Sequence, residues 1–354
     1  MAIYIIAEAG VNHNGDVNTA EKLIDAAAAA GADAVKFQTF EAEKLVTRDA
    51  KQASYQEDNM GETLSQYEML KQLELTRDLF VHLKNYCDSK DIEFLSTPFD
   101  EDSVDFLVDD IGVQQIKIGS GDLTNVPLLY HAATKQLPII LSTGMSSIAE
   151  IQEALSYIAY GYAEKTNMDP EKVADFYPSE EAQQLLKRYV TLLHCTTSYP
   201  APPESINLHS IPFLQDTFNL STGFSDHSEG IAIPITSVSY TPLVIEKHFT
   251  LDRNLPGPDH LASLEPNELK DMVAGIRLAE KAQGVYQKDS LSIEKNNIAP
   301  ARKSLVVVGD IQKGQYFTRD NITVKRPGNG TSPKYLWSIL GTTAEKNYKA
   351  GEML

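Results

Sequence analysis

Two histidines, His227 and His248, have the side chains and the placement of metal ligands. Each ends a short β-like run, "GFSDH" and "VIEKH". A lone histidine is more often structural, but two at the ends of consecutive parallel strands lie side by side. Two imidazoles with water and oxygen ligands suit Mn²⁺, or Mg²⁺ and Co²⁺ as substitutes, whereas structural zinc needs four protein ligands. We predict a divalent metal here, with Glu8, Asp122 and Asp259 available as oxygen donors.

Two lysines lie inside apolar runs, Lys36 in "ADAVKFQTF" and Lys117 in "QQIKIGSGDL". A buried lysine either pairs with a carboxylate or binds an anion, and the sequence leaves both interpretations open for each lysine alone. Ser120 and Ser142, with glycines nearby, add hydroxyl and backbone N–H donors. In a chain with a formal net charge of -18, such a cluster indicates a local phosphate or carboxylate site.

These residues fall within a repeated pattern, in which a short apolar β-like run is followed by small or polar residues and a helical stretch. The runs are "IYIIAEAG", "ADAVKFQTF", "IEFLSTPFD", "QQIKIGSGDL", "LPIILSTGM", "VTLLHCTTSYP", "LSTGFSDHS" and "PLVIEKHFTL". Eight such units over about 280 residues predict a (β/α)₈ TIM barrel. A doubly wound open sheet is less favoured, because no GxGxxG follows the first strand.

In such a barrel the strand ends converge on one mouth, where barrel enzymes hold their chemistry. The predicted ring comprises Glu8, Asn12, His13, Lys36, Gln38, Ser96, Thr97, Lys117, Ser120, Asp122, Ser142, Thr143, Thr196, Thr197, Tyr199, Ser225, Asp226, His227, Lys247 and His248. One polar strand end means little, since strand ends are commonly polar. A full ring with paired lysines and paired histidines predicts an active site.

Composition narrows the class of protein. The chain has 354 residues, 42% of them hydrophobic, and 49 acidic against 31 basic side chains. That acidity argues against nucleic acid and anionic membrane surfaces as partners. Cys87 and Cys195 are too few for a disulfide framework, and "MAIYIIAEAG" resembles a first strand and not a signal peptide. We therefore expect a cytoplasmic protein without membrane spans.

Near its C-terminal end the sequence changes from long helix-like stretches to short β-like runs with Gly and Pro turns. We predict a barrel domain over 1–282, a linker over 283–300 and a small β-rich domain over 301–354. Residues 165–188 form an acidic extension of one connection, for which no chemistry is predicted. "RPGNG" at 326–330 is a turn, and within the chain alone Arg326 is a solvated charge.

The order and spacing of several short motifs resemble the sialic acid synthase family, which includes N-acetylneuraminate, legionaminic acid and pseudaminic acid synthases. The motifs are "IIAEAGVNHNGD", "ADAVKFQT", "FLSTPFD", "IKIGSGD", "ILSTGM", "GFSDHSEGI", "IEKHFTLDRNLPGPDH" and "VKRPGNG". The resemblance covers nearly the whole chain. It implies a barrel followed by an antifreeze-like (SAF) domain, and a domain-swapped homodimer in which each SAF domain caps the partner's barrel.

The resemblance implies a transferase that condenses phosphoenolpyruvate with a mannosamine-type sugar in its aldehyde form and releases phosphate. Implied phosphoenolpyruvate-binding residues are Lys36, Thr97, Lys117, Ser120, Ser142 and Ser225. Implied sugar-binding residues are Gln38, Tyr199, Asp259 and Arg326. Arg326 would come from the partner chain, so the resemblance replaces the interpretation of Arg326 as a solvated charge. His227 and His248 would hold the metal, and Glu8, Lys117 and Asp122 would take part in catalysis.

The expected main activity is N-acetylneuraminate synthesis from N-acetylmannosamine and water by C–O cleavage. Asp122 stands where some members have Glu, and Thr197 where some N-acetylneuraminate synthases have Asn. The alternative is therefore legionaminic acid synthesis from 2,4-diacetamido-2,4,6-trideoxymannose. The rigid corner Pro256-Gly257-Pro258 would hold Asp259 over the sugar, whereas His260 is expected to be a loop residue without a role.

Two other functions fit the sequence less well. A related barrel enzyme acting on a sugar phosphate would need a second phosphate site, and basic groups for only one anion are evident. A non-catalytic binding protein with an antifreeze-like module would have lost its lysine or histidine positions, which are all filled here. Release of phosphate from phosphoenolpyruvate separates the enzymes from the binding protein.

Overall fold

The computed structural model describes residues 2–51, 65–289 and 291–354. It consists of two compact units, Met1–Gly284 and Val285–Leu354. The predicted barrel domain and linker also include residues 1, 52–64 and 290, which lie outside the described residues.

Within the described part of the first unit, eight parallel strands form one sheet. They are β1 (Tyr4–Gly10), β2 (Ala34–Thr39), β3 (Glu93–Pro98), β4 (Ile116–Ile118), β5 (Ile139–Ser142), β6 (Val190–Cys195), β7 (Ser221–Asp226) and β8 (Val244–His248). Hydrogen bonds join them in the order β3-β2-β1-β8-β7-β6-β5-β4, and the end strands β3 and β4 pack against each other. The sheet therefore closes into a barrel, which confirms the predicted (β/α)₈ fold.

Helices connect the strands. They are α1 (Val17–Ala30), α2 (Ala42–Leu45), α3 (Gln66–Leu73), α4 (Arg77–Ser89), α5 (Glu101–Asp105), α6 (Val126–Thr134), α7 (Ile148–Tyr162), α8 (Pro170–Phe176), α9 (Glu180–Tyr189), α10 (Ser210–Phe218), α11 (Ala232–Ser237) and α12 (Pro266–Gln283). A π-helical turn, Phe106–Ile111, follows α5. The extension at 165–188 contains α8 and most of α9. Among the described helices, none has the length and hydropathy to cross a bilayer.

Helix α1 shows how local sequence sets the bounds of an element. Asp16 precedes it and accepts a hydrogen bond from the backbone N–H of Thr19, which satisfies a free donor of the first turn. Gly31 ends it in a left-handed conformation, with φ 79°, which glycine adopts without a steric penalty. Between these caps, Leu23, Ile24 and neighbouring alanines bury one face against the barrel.

The alternation of side chains along the strands places the site above an apolar layer. Inside the barrel, the apolar cluster consists of Ile6, Ala34, Leu95, Ile140, Leu193 and Val244. Two residues further along each strand stand Glu8, Lys36, Thr97, Ser142, Cys195 and Glu246. Because the side-chain period of a strand is two, both sets face the interior. The barrel is thus closed by apolar side chains below and lined by polar ones above.

The second unit is a small β-rich domain. Strands β9 (Ser304–Val307) and β10 (Ile322–Lys325) pair antiparallel, and short helices α13 (Lys295–Ala301) and α14 (Leu336–Ile339) flank them in sequence. Its apolar core includes Leu305, Val307, Ile311, Phe317, Ile322 and Ala344. Helix α13 begins within the predicted linker and ends one residue beyond it, and the N–H of Gly328 donates to the carbonyl of Ala299 at 2.7 Å. The end of that linker is therefore bonded to the small domain.

Candidate active site

A cavity of about 450 Å³ lies at the carboxyl ends of the barrel strands. It is lined by Glu8, Val11, Lys36, Gln38, Gln66, Met69, Leu70, Leu73, Thr97, Phe99, Lys117, Gly119, Ser120, Gly121, Ser142, Met145, Cys195, Thr197, Tyr199, Ser225, His227, Glu246, His248, Pro258 and Asp259. The lining contains every barrel residue predicted to be catalytic, substrate-binding or metal-binding except Asp122, whereas Asn12, His13, Ser96, Thr143, Thr196, Asp226 and Lys247 of the predicted ring do not belong to it. The barrel topology therefore gathers residues from all parts of the first unit into one place.

Two lysines and two carboxylates form a buried charged cluster in this cavity. Lys36 Nζ lies 2.9 Å from Glu8 Oε2 and 3.5 Å from Glu246 Oε2, and Lys117 Nζ lies 3.7 Å from Glu246 Oε1. Burial opposes ionisation of Glu246, but Lys117 and Lys36 outweigh it and lower the pKa of Glu246. Burial raises the pKa of Glu8, with Lys36 opposing the rise. Burial also lowers the pKa of Lys117, with Glu246 opposing the fall. The cluster thus combines two lysines with one firmly ionised carboxylate, Glu246, and one carboxyl group, Glu8, that is a weaker acid than usual.

Hydroxyl groups fix the two ammonium groups. Lys36 Nζ donates to Thr97 Oγ1 at 3.0 Å, and Lys117 Nζ donates to Ser142 Oγ at 2.7 Å. Both lysines are almost fully buried, at 3% and 2% exposure, so their donors point into the cavity with little freedom. Such preorganised cations suit a phosphate or carboxylate ligand.

Glu246 is a site residue that the sequence interpretation missed. It precedes His248 by two positions in β8, so both side chains face the barrel interior. Ser225 Oγ donates to its Oε1 at 2.8 Å, which links it to the next strand. A carboxylate inside the apolar run "PLVIEKH" was the available signal, and the period-two rule applied to His248 identifies it.

Ser120 lies in a tight polar corner of the cavity. Its Oγ accepts from the backbone N–H of Gly144 at 3.0 Å and lies 3.1 Å from Cys195 Sγ. A Cβ on Gly144 would approach Thr197 Oγ1 to 2.5 Å, so only glycine fits there. The backbone N–H of Gly144 therefore donates to Ser120 within the site, and its role as a donor to a bound anion stays a prediction.

The two histidines lie next to each other, as predicted, with ring centroids 5.4 Å apart. His227 Nδ1 donates to the Thr196 carbonyl at 2.7 Å, which leaves the Nε2 lone pair free of a proton. Burial lowers the pKa of His227 to about 4 and that of His248 well below its usual value. His248 Nδ1 is buried without a hydrogen-bond partner in the described residues. His227 Nε2 has only a long contact with Ser225 Oγ, at 3.4 Å, so two neutral imidazoles with accessible lone pairs fit a divalent cation.

The carboxylates that the sequence offered as further metal ligands do not join the histidines. Among the described residues, no group of three or more His, Cys, Asp or Glu side chains has the arrangement of a metal site. A cation bound by His227 and His248 would need its other ligands from water or substrate, and such a set of donors suits Mn²⁺ or Mg²⁺ better than structural zinc.

Asp122 differs from its prediction, because its side chain does not belong to the cavity lining. It lies in a short 3₁₀ turn after β4, and its Oδ1 accepts from Asn125 Nδ2 at 3.0 Å. Burial raises the pKa of this carboxyl. The turn carries the residue past the strand end, where the strand rule no longer predicts side-chain direction.

Asp226 and Lys247 were predicted at the mouth and instead form a buried ion pair outside the lining. Lys247 Nζ lies 2.7 Å from Asp226 Oδ2 and also donates to the Ser228 carbonyl. Asp226 follows Ser225, and Lys247 precedes His248. Because Ser225 and His248 face the barrel interior and side chains alternate along a strand, Asp226 and Lys247 face outward. The pair joins β7 to β8.

Replacing Lys247 with Met is expected to lower the free energy of unfolding by about 3–5 kcal/mol, because it leaves the buried Asp226 carboxylate without its cation. Urea denaturation measures this loss. The double variant Lys247→Met/Asp226→Asn should recover part of the stability. A single variant as stable as the wild type would contradict the assigned role of this pair.

The corner Pro256–Pro258 is held against the loop after β1. Asn14 Nδ2 donates to the Pro256 carbonyl at 2.8 Å. His260 Nε2 donates to Asn14 Oδ1 at 3.3 Å, and its Nδ1 accepts from Thr250 Oγ1 at 2.6 Å. His260 is fully buried, so the expectation that it has no role was wrong. These bonds fix the corner that presents Asp259 to the cavity.

Gly10 is surrounded by three of the predicted polar residues. A Cβ at this position would lie 3.4 Å from Gln38 Nε2, 3.4 Å from Glu8 Oε1 and 3.7 Å from Asp259 Oδ2. Its φ of +53° also favours glycine. Burial raises the pKa of Asp259 to about 6. An amide and two carboxyl groups thus converge on one part of the cavity around Gly10, where the backbone conformation and not a lack of space favours glycine.

Arg326 belongs to the second unit, where it directly follows β10 and is exposed. Its predicted contact with a sugar in a partner's barrel stays a prediction.

Comparison with known proteins gives a consistent family. The chain matches the NeuB family over residues 23–288 and the SAF domain over residues 302–354. It is 43% identical to the N,N'-diacetyllegionaminic acid synthase of Legionella pneumophila over 100% of this chain and 94% of that protein. It is 46% identical to the protein of the same name from Campylobacter jejuni, over 99% and 98%.

A solved structure agrees with this assignment. The N-acetylneuraminic acid synthetase of Leptospira borgpetersenii, crystallised with citrate, matches with a TM-score of 0.68 and 34% identity, over 84% of this chain and 90% of that chain. The family model covers most of this chain, and residues 23–288 include all of the cavity lining except Glu8 and Val11. The chain therefore belongs to the NeuB family of sialic and nonulosonic acid synthases and carries a SAF domain after its barrel.

Proposed function

We propose that this protein condenses phosphoenolpyruvate with 2,4-diacetamido-2,4,6-trideoxymannose and water, and releases N,N'-diacetyllegionaminic acid and phosphate. Two relatives of that name, similar over nearly their whole length, support this sugar over N-acetylmannosamine. The observation that carries the proposal is the cavity in which buried Lys36 and Lys117 face the paired imidazoles of His227 and His248. It offers an anion site beside a site for an aldehyde.

The lysines would bind phosphoenolpyruvate through its negative charges. With their ammonium groups oriented by Thr97 and Ser142, they compensate charge without rearrangement when the ligand enters. Ser120 and Ser225 add hydroxyls to the lining of the same cavity. Since the protein as a whole is strongly acidic, this local positive field also selects where an anion binds.

His227 and His248 would hold a divalent cation, most simply Mn²⁺. When bound, such a cation supplies Lewis acidity that polarises the sugar aldehyde. The chain's own contribution is to keep both imidazoles neutral through burial and to orient His227 through the Thr196 carbonyl. Tyr199, whose ring centroid lies 4.2 Å from that of His227, limits the space beside the metal ligands.

In the proposed reaction, C3 of phosphoenolpyruvate forms a bond to the aldehyde carbon and water adds to C2. The aldehyde oxygen takes up a proton and becomes a hydroxyl. The bond between C2 and the phosphate oxygen then breaks as the C2 hydroxyl gives up its proton to form the keto group, and phosphate leaves with that oxygen and the second proton of the water. Glu8 is the candidate that accepts the proton of the attacking water. It is buried at 2% exposure, lies beside Lys36 and faces the cavity, and a carboxylate there also stabilises positive charge developing at C2.

Gln38, Asp259 and Tyr199 are proposed to contact the sugar. Replacing Gly10, which separates the first two, with Ala is expected to destabilise the protein by about 1–2 kcal/mol, because alanine resists a left-handed backbone. The added methyl group would lie at ordinary contact distance from Gln38 and Asp259, so a loss of sugar turnover would come from a shift of the strained backbone beside them, and kcat/KM for the sugar should fall by up to about 10²-fold. Steady-state kinetics with each substrate varied measures this, and an equal loss for phosphoenolpyruvate would contradict the assignment to the sugar.

The proposed activity is tested by incubating the protein with phosphoenolpyruvate and each candidate sugar, with Mn²⁺ and after chelation. Phosphate release and the mass of the keto-acid product are recorded. We expect both products with the diacetamido sugar and loss of turnover after chelation. No turnover with any sugar would refute the synthase and favour a binding protein, whereas turnover unaffected by chelation would refute the metal's role.

A further inference from the structure

One wall of the cavity is apolar and contributes no charge to the proposed reaction. It consists of Val11, Met69, Leu70, Leu73 and Phe99, here called the α3 wall. Three of its members lie on helix α3, and the other two follow strands β1 and β3. Gln66, in the first turn of α3, is the polar lining residue from the same helix. The lysines, carboxylates and histidines of the site all come from barrel strands or the residues following them.

We infer that the α3 wall determines specificity by packing against the methyl-bearing side of the sugar, so that it selects a 6-deoxy substrate over a 6-hydroxy or 6-phosphorylated one. This inference rests on the proposed function. The diacetamido sugar carries a methyl group at C6 and a second acetamido group at C4, where N-acetylmannosamine carries hydroxyls. The two candidate sugars thus differ by the groups that an apolar surface distinguishes.

The physical basis is the cost of leaving a polar group without a partner. A hydroxyl pressed against the α3 wall loses water and finds no hydrogen-bond partner among its five side chains, whereas a methyl group gains apolar contact. None of these five side chains is a cation, so the wall has no charge with which to bind a phosphate. One methyl group or hydroxyl in such a pocket changes kcat/KM by about 10–200-fold.

The wall is preformed, as a specificity surface requires. Ser65 and Glu68 cap the start of α3 reciprocally. Glu74, after its end, accepts from the backbone N–H of Ala42 at 3.1 Å, and Met69 is only 1% exposed. Phe40 packs within the same apolar cluster. The ring centroids of Phe40 and Phe99 lie 6.0 Å apart, and the ring planes are nearly perpendicular.

The test compares two sugars that differ only at C6, N-acetylmannosamine and 2-acetamido-2,6-dideoxymannose. The wild type is expected to prefer the 6-deoxy sugar at least tenfold in kcat/KM, as for a methyl group against a hydroxyl. Met69→Gln should lower that ratio about tenfold, because the glutamine amide gives the hydroxyl a hydrogen-bond partner. The KM for phosphoenolpyruvate should not change. Met69→Leu, which keeps the surface apolar, should keep the wild-type ratio. Leu45→Gln is the matched control, since Leu45 packs on the same cluster without lining the cavity.

The outcomes separate the two claims. No turnover with either of these sugars or with the diacetamido sugar refutes the proposed function and this inference with it. Turnover of both C6 variants by the wild type at equal kcat/KM refutes the α3 wall alone and leaves the synthase intact. Thermal unfolding shows whether both variants are folded. If they are, an equal fall of the 6-deoxy to 6-hydroxy ratio in Met69→Gln and Leu45→Gln would also refute the role of the α3 wall.

Discussion

Replacing Lys117 with Met is expected to lower kcat/KM for phosphoenolpyruvate by about 10²–10³-fold, the effect of losing one preorganised charged donor. Lys117 is 2% exposed and donates to Ser142 Oγ at 2.7 Å, so no other cation can take its position. Methionine keeps the length and removes the charge. Steady-state kinetics and calorimetric titration with phosphoenolpyruvate measure the effect on turnover and binding.

The same substitution removes a cation from buried Glu246, so a loss of stability must be separated from a loss of binding. The double variant Lys117→Met/Glu246→Gln should regain stability without regaining affinity for phosphoenolpyruvate. Lys135→Met provides a matched control, since Lys135 pairs with Asp105 and Asp109 away from the cavity. A folded Lys117→Met protein with wild-type phosphoenolpyruvate kinetics would contradict the anion site.

Replacing His227 with Ala is expected to weaken Mn²⁺ binding by at least about 100-fold, since even partners of metal ligands contribute 10–100-fold in affinity. It removes half of the protein ligands that the structure offers. The loss of bound Mn²⁺ is measured by electron paramagnetic resonance of the free ion, independently of turnover, and metal-dependent activity should disappear with it.

His82→Ala serves as the control for that substitution, because His82 is a surface residue paired with Glu21. Its Mn²⁺ binding should equal that of the wild type. If His227→Ala binds Mn²⁺ as tightly as the wild type while remaining folded, the imidazole pair is structural and the metal lies elsewhere.

The barrel and most of the site could be predicted because strand periodicity and topology leave few choices. Lys36, Lys117 and His248 stand inside or at the end of recognisable strands, and their convergence follows from any closed parallel barrel. Glu246 follows from the same rule, because it stands two positions before His248 on β8 and shares its face, but the predicted ring contains only the last residues of that strand.

The predicted positions are wrong where a residue lies beyond a strand or on its outward-facing side. Asp122 lies in a turn, and Asp226 and Lys247 alternate outward to pair with each other. Helix α3 could not be assigned to the cavity, because it lies in the long connection between β2 and β3 and only the folded chain brings Met69 beside Val11 and Phe99. His260 likewise acquires its role through Asn14, which is distant in sequence.

Some expectations remain predictions of the sequence. These are the domain-swapped homodimer, the contribution of Arg326 from a partner chain, and the cytoplasmic location. Mixing Arg326→Ala chains with Lys36→Ala chains tests the first two together, because one site of the mixed dimer would regain both residues. Recovery of activity supports the swap, and two inactive parents that stay inactive when mixed argue against it.

The central claim, a synthase selective for the diacetamido sugar, is tested most directly by competition. Equal concentrations of N-acetylmannosamine and 2,4-diacetamido-2,4,6-trideoxymannose are offered with limiting phosphoenolpyruvate and Mn²⁺, and the products are separated by mass. The ratio of products gives the ratio of kcat/KM values in one vessel. We predict N,N'-diacetyllegionaminic acid in at least tenfold excess, whereas an excess of N-acetylneuraminate would contradict the account.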